Sequence, residues 1–151
     1  MHKFKFLPHT ADIKFQAFGN SLEECFENAA LALTNITCKK KIKSLKSKKI
    51  KVYGRDLENL LYNFLEEILI LRDVYDLLIS KIKKIKIKGT GGLKKRNYEL
   101  EAEFSGDNLK NYNTELDVKA ITYNDMFIGQ EKTNNKTKNK TRFTCQVVVD
   151  V

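Results

Sequence analysis

The chain has 151 residues, of which 42% are hydrophobic and 31% charged, and 28 Lys and Arg against 19 Asp and Glu give a formal charge of +9. That length and composition describe one folded domain over residues 1–151, exclude a disordered chain, and leave no room for a second core. No apolar run approaches the roughly 20 residues that span a bilayer, and Met1 to Lys5 lacks the apolar run of a signal peptide, so a cytoplasmic protein is expected.

Phe4 and Phe6 alternate with lysines, and Ile13, Phe15 and Ala17 alternate with Lys14 and Gln16, the period-two pattern of half-buried strands. Pro8-His9-Thr10-Ala11-Asp12 separates them, because proline cannot donate to a central ladder. Ser21-Leu22-Glu23-Glu24 is a capping box, and the apolar spacing from Leu22 to Leu33 predicts a helix over 22–35. The lysine-rich stretch 39–49 reads as a connection into a strand, Ile50 to Tyr53, that ends at Gly54. Asp56 caps a second helix whose stripe of Leu57, Leu60, Leu61, Phe64, Leu65 and Ile68 predicts packing across a sheet. Beyond residue 80 the period is two. Ile85 and Ile87 sit among lysines, 89–92 turns, and Tyr98 to Phe104 alternates with Glu99, Glu101 and Glu103, a hairpin whose register Lys–Glu pairs help set. Strands are expected near 118–122, 126–128 and 143–149, while the polar tract 130–142 reads as a mobile hairpin tip. Two helices and roughly seven mostly antiparallel strands make an α+β domain.

The positive charge alone would suit a polyanion such as RNA. It lies almost wholly in lysines that flank strands, with Arg only at positions 55, 72, 96 and 142, and Arg is the better residue for forked phosphate or base contacts. Solvated lysines are therefore the default. A general RNA-binding or RNA-chaperone module is the alternative, and it requires surface aromatics for stacking, whereas the aromatics here mostly alternate into cores. Cys25, Cys38 and Cys145 form no C-x-x-C pair, and Cys25 and Cys145 fall on apolar faces as small hydrophobes. The Gly-rich stretch 89–92 lacks the Lys-Ser/Thr of a phosphate-binding loop.

Three features carry chemistry. Asp12 sits in the Pro-containing junction, where it caps a turn or serves a site. Asp150 ends an apolar strand beside the α-carboxylate of Val151, which concentrates oxygen ligands. Lys119 lies within a strand, solvated or functional. Carboxylates with a carbonyl or terminal carboxylate suit a hard divalent cation, and two histidines with no cysteine cluster disfavour zinc. A stand-alone metal-dependent hydrolase would need more convergent polar groups than these.

Taken in order, His9-Thr10-Ala11-Asp12, Gly19 with the Ser21 helix start, the leucine-rich helix Leu57 to Leu69, Val118-Lys119-Ala120-Ile121-Thr122-Tyr123 and Val148-Val149-Asp150-Val151 resemble the archease family nearly end to end. These small proteins serve RtcB-type GTP-dependent RNA ligases in tRNA splicing and RNA repair. The resemblance implies a three-layer sandwich of two sheets, mostly antiparallel or mixed, with a layer of two helices. It also implies a divalent-metal site, usually Ca²⁺ with Mg²⁺ or Mn²⁺ as alternatives, whose ligands fall on Asp12, Asp150 and an oxygen of Val151. Lys119 falls on the family's functional lysine. The implied role is activation of the ligase, by promoting its guanylylation and multiple turnover, rather than catalysis. RNA would be met through the ligase, with no contact to DNA or membrane. The chain departs from the family at Tyr112, where a His is usual, at Asp117, where Glu is usual, and in a longer, more basic 130–142.

Overall fold

A computed structural model describes residues 2–90, 97–135 and 138–151. Strand β1 (Phe4–Leu7) turns into β2 (Ile13–Gly19), helix α1 (Leu22–Thr37) follows, and β3 (Lys46–Gly54) leads to helix α2 (Leu57–Tyr75). The long strands β4 (Leu77–Thr90) and β5 (Asn97–Asn108), a short 3₁₀ turn, and the pair β6 (Ala120–Asn135) and β7 (Lys138–Asp150) complete the chain. One sheet has the order β1-β2-β7-β6 and the other β3-β5-β4, with every described pairing antiparallel. Each helix packs on strands of both sheets and so lies between them. The result is the expected α+β sandwich of three layers.

Both helices start by the same device. β2 ends at Gly19 and β3 at Gly54, and two residues later Ser21 and Asp56 cap the helices by accepting from the amides of Glu24 (3.1 Å) and Asn59 (2.7 Å). A Cβ on Gly19 would stand 2.4 Å from the Cys25 amide nitrogen, and one on Gly54 2.5 Å from that of Leu60. Only glycine lets each strand end lie against the first turn of its helix. Glu24 closes the box against the Asn20 amide, one residue before the cap. Helix α2 ends at Asp76, whose left-handed backbone (φ 52°) directs its N–H to the Leu71 carbonyl.

The core runs through all three layers. Phe15 of the first sheet, Phe26 and Phe64 of the helices and Phe104 of the second sheet are fully buried. Phe64 lies 5.8 Å from Phe26 and 6.0 Å from Phe104, ring centre to ring centre, which joins the helical layer to the second sheet. Cys25 and Cys145 are buried free thiols, as their apolar positions predicted.

The sequence reading needs four adjustments. Residues 46–49 belong to β3 rather than to a connection, because β5 offers ladder partners as far as Gly106 whether or not the opposing side chains are apolar. The segments expected near 118–122 and 126–128 are one strand that starts only at Ala120, so Lys119 precedes the strand it was expected to lie within, and residues 123–126 interrupt it between the pairs Thr122↔Val148 and Phe127↔Gln146. In the tract 130–142, the described residues continue the β6–β7 ladder to Asn135↔Lys138, so paired backbone stands where a polar tip was expected. Of the turn expected at 89–92, Gly89 and Thr90 still pair with Tyr98 and Asn97 in β4 and residues 91–92 lie outside the described residues, while Lys84↔Glu103, Lys86↔Glu101 and Lys88↔Glu99 face one another in the hairpin register that its charges predicted.

Candidate functional site

The register brings Asp12, Asp150 and Lys119 to one end of three adjacent strands. β2 pairs with β7 through Ile13↔Val149, so Asp12 continues that register toward Asp150. β6 pairs with β7 through Ala120↔Asp150, and the Lys119 amide donates to the Asp150 carbonyl at 2.8 Å. Positions 12 and 150 are remote in sequence, and only the central position of β7 unites them. Ala11 carries φ 69°, a left-handed backbone that costs a non-glycine residue energy, directly before Asp12.

Alternation along β2 and β7 turns Phe15, Ala17, Val147 and Val149 inward, which leaves Lys14, Gln16, Gln146 and Asp150 on the outer face. The irregular stretch 123–126 folds over that face. Gln146 donates to the Asp125 carbonyl (2.8 Å), Gln16 to Gln146 (2.9 Å), and Lys14 approaches the Asp125 carboxylate at 3.4 Å. Tyr123 stacks on Tyr62 of α2 with ring centres 4.3 Å apart, and Asn59 donates to its hydroxyl at 2.8 Å. A wall thus stands beside the acidic end, and Lys14 is directed to Asp125.

Among the described residues Asp12 has one partner at ion-pair distance, His9, whose Nδ1 lies 4.0 Å from Oδ2. Among the described residues neither Asp150 nor Lys119 forms an ion pair, and both are exposed. Among the same residues no three His, Cys, Asp or Glu side chains converge as a metal cluster. The donors on offer are therefore two carboxylates with main-chain oxygen at Val151. An all-oxygen set of this kind fits a hard cation that keeps part of its water, and does not fit zinc. Beside Asp12 opens a mainly apolar recess of about 360 Å³ lined by His9, Ile13, Ile36 and Leu116, with the Lys39–Glu115 pair (3.5 Å) at its rim. A separate cavity of about 900 Å³ lies against the second sheet and shares no residue with this end.

Two residues near the site have roles that the sequence did not disclose. Tyr112 donates its hydroxyl to the buried carboxylate of Asp107 at 2.8 Å and accepts from the Lys43 amide at 2.8 Å. That hydrogen bond and the Asn108 amide hold the Asp107 carboxyl below the usual carboxylate range. Arg72, in the last turn of α2 and only 7% exposed, reaches the Asp117 carboxylate at 3.0 Å and the Val118 carbonyl at 2.7 Å with Nη2. A lone basic residue in the last turn of a helix gives no hint of such a reach. Aromatic burial was only partly as expected, since Tyr53 (59% exposed), Tyr123 (47%), Phe6 and Phe127 remain exposed.

Comparison with known proteins finds the same α+β architecture. The family model described as Archease protein family (MTH1598/TM1083) matches residues 4–151. Protein archease of Pyrococcus abyssi is 38% identical over 131 residues, covering 85% of this chain and 89% of that protein. Protein archease of Methanosarcina barkeri is 37% identical, covering 99% and 96%. The solution structure of Methanobacterium thermoautotrophicum protein 1598 superposes with a TM-score of 0.75 at 28% identity over the whole of both chains. The chain belongs to the archease family. Membership supports an accessory-protein role. No helix among the described residues is long and apolar enough to cross a membrane.

Proposed function

We propose that this protein is an accessory factor of a GTP-dependent RtcB-type RNA ligase in tRNA splicing and RNA repair, raising ligase guanylylation and turnover without catalysing ligation itself. One observation carries the reading: in a chain of this family, Asp12, Asp150 and Lys119 gather at one sheet end with their charges largely uncompensated. Charge that the fold leaves without an internal partner is available to an external one. Asp12, Asp150 and an oxygen of Val151 would hold a divalent cation, Ca²⁺ in the first instance, with Mg²⁺ or Mn²⁺ as alternatives. When bound, the cation supplies positive charge and open positions for oxygen ligands. The two aspartates present their carboxylates from strand ends whose backbone is fixed by the ladder. The Lys119 ammonium offsets phosphate charge at the ligase's nucleotide site, while the wall at 123–126 screens the site from one side.

The test is multiple-turnover joining of broken tRNA by an RtcB-type ligase with and without this protein. Stimulation by the wild type that Asp12→Ala and Asp150→Ala abolish is expected, and equal stimulation by both variants would sink the reading. Tight, steeply salt-dependent tRNA binding in the absence of ligase would favour an RNA-binding module instead.

A further inference from the structure

We infer that Arg72 is a positioning residue for Lys119: it anchors the chain just before Lys119 and occupies Asp117, the acid that would otherwise pair with the Lys119 ammonium. The inference rests on the reading of Lys119 given above.

Residues 113–119 form no helix or strand, so their path depends on single contacts. Main-chain bonds fix its two ends, Glu115 N–H to the Thr37 carbonyl at 2.8 Å and Lys119 N–H to the Asp150 carbonyl at 2.8 Å. Between them, Val118 is fully buried and its carbonyl accepts from Arg72 Nη2 at 2.7 Å. The same nitrogen meets Asp117 Oδ1 at 3.0 Å, while Nε holds Asp73 at 2.8 Å. The planar guanidinium reaches these partners from two nitrogens held apart in a fixed fork, whereas an ammonium would have to meet all three from a single nitrogen.

Asp117 lies two positions from Lys119, and its side chain is 76% exposed. Without Arg72 that carboxylate is free to swing to the nearest cation. With Arg72 it is engaged, and Lys119 forms no ion pair among the described residues. The arrangement presents a lysine to an external anion beside an acid that would otherwise quench it.

The experiment compares wild type, Arg72→Gln, Arg72→Gln/Asp117→Asn, Arg72→Lys and Lys119→Ala. Amide hydrogen exchange is followed by NMR, and the half-stimulating concentration for an RtcB-type ligase on broken tRNA is measured. Loss of a charge-assisted bond predicts about tenfold faster exchange at the Lys119 amide in Arg72→Gln, with the amides of Val147 to Val149 unchanged, and an about tenfold higher half-stimulating concentration. The double variant should recover that concentration to within about threefold, because no carboxylate then competes, while its exchange stays fast. A merely structural Arg72 predicts no such recovery, and its absence overturns the proposal. Unchanged exchange in Arg72→Gln also overturns it. Should Arg72→Gln fail to fold, Arg72→Lys keeps the buried charge without the fork, and wild-type behaviour in both measurements overturns the proposal equally. Full stimulation by Lys119→Ala would instead overturn the functional reading of Lys119, and the exchange measurement would still judge Arg72.

Discussion

On the outer face of the β3-β5-β4 sheet, Lys51 meets Glu99 at 3.1 Å and Glu101 at 3.2 Å, and Lys88 meets Glu99 at 3.0 Å. At the end of the other sheet, Asp12 has only His9 at 4.0 Å, and Asp150 and Lys119 have no ion pair among the described residues. The first region holds far more charge, and Lys51, Lys88, Glu99 and Glu101 satisfy one another across strands and serve register and solubility. The second holds little charge and leaves it uncompensated. Net charge by itself therefore points to the wrong region. What sets the candidate site apart is charge of both signs gathered at the ends of strands remote in sequence.

The contrast can be broken most sharply at the acidic end. Asp12→Asn and Asp150→Asn should each lower divalent-cation affinity about 100-fold by calorimetry, with the melting temperature in the absence of cation unchanged. A melting temperature that falls in both variants would make these acids structural, like those of the other sheet. Next in size is Glu99→Gln, read in acid. Lys88 first and Lys51 second hold the Glu99 carboxyl below the usual carboxylate range. Its stabilisation is thus present above the unfolded value of about 4.3 and lost as pH falls through the lower folded value. Denaturation midpoints measured from pH 5 downward should fall for the wild type across this window, and less steeply for the variant. Tyr112→Phe should raise the Asp107 pKa toward its ordinary value in an NMR titration, with ligase stimulation retained, since the phenol serves Asp107 rather than the strand-end site. The smallest effect is expected from Lys84→Gln and Lys86→Gln. Each should change stability by less than about 0.5 kcal/mol in chemical denaturation and leave ligase stimulation as it was.

What the sequence made legible was local. Ser21 and Asp56 announce their helices because a cap and its acceptor lie within one turn, and the Lys–Glu hairpin is readable because its partners alternate at period two. Asp12, Lys119 and Asp150 could each be singled out by residue type and place, but only the order of whole motifs tied them to one another, since nothing in their spacing says that β7 lies between β2 and β6. Arg72 escaped because its partners, Asp117 and Val118, come from a segment with no periodicity of its own. The stretch 123–126 escaped for a related reason: its stability comes from Gln16, Gln146, Lys14 and Tyr62, all distant in sequence. Residues 46–49 read as a connection because lysines carry no apolar signature, while a backbone ladder asks only for a partner.

The central place of β7 has a consequence for how the molecule comes into being. A ribosome releases β2 long before the β6–β7 pair, and β7 must then be inserted against β2 across most of the chain. Closing so long a loop is entropically slow, so this insertion belongs to the late steps of folding. Until it occurs, a nascent or truncated chain can possess both helices and the entire lysine–glutamate sheet, yet Asp12 has no Asp150 beside it. The strand ends that carry Asp12, Lys119 and Asp150 are therefore brought together only once β7 is paired with both its neighbours.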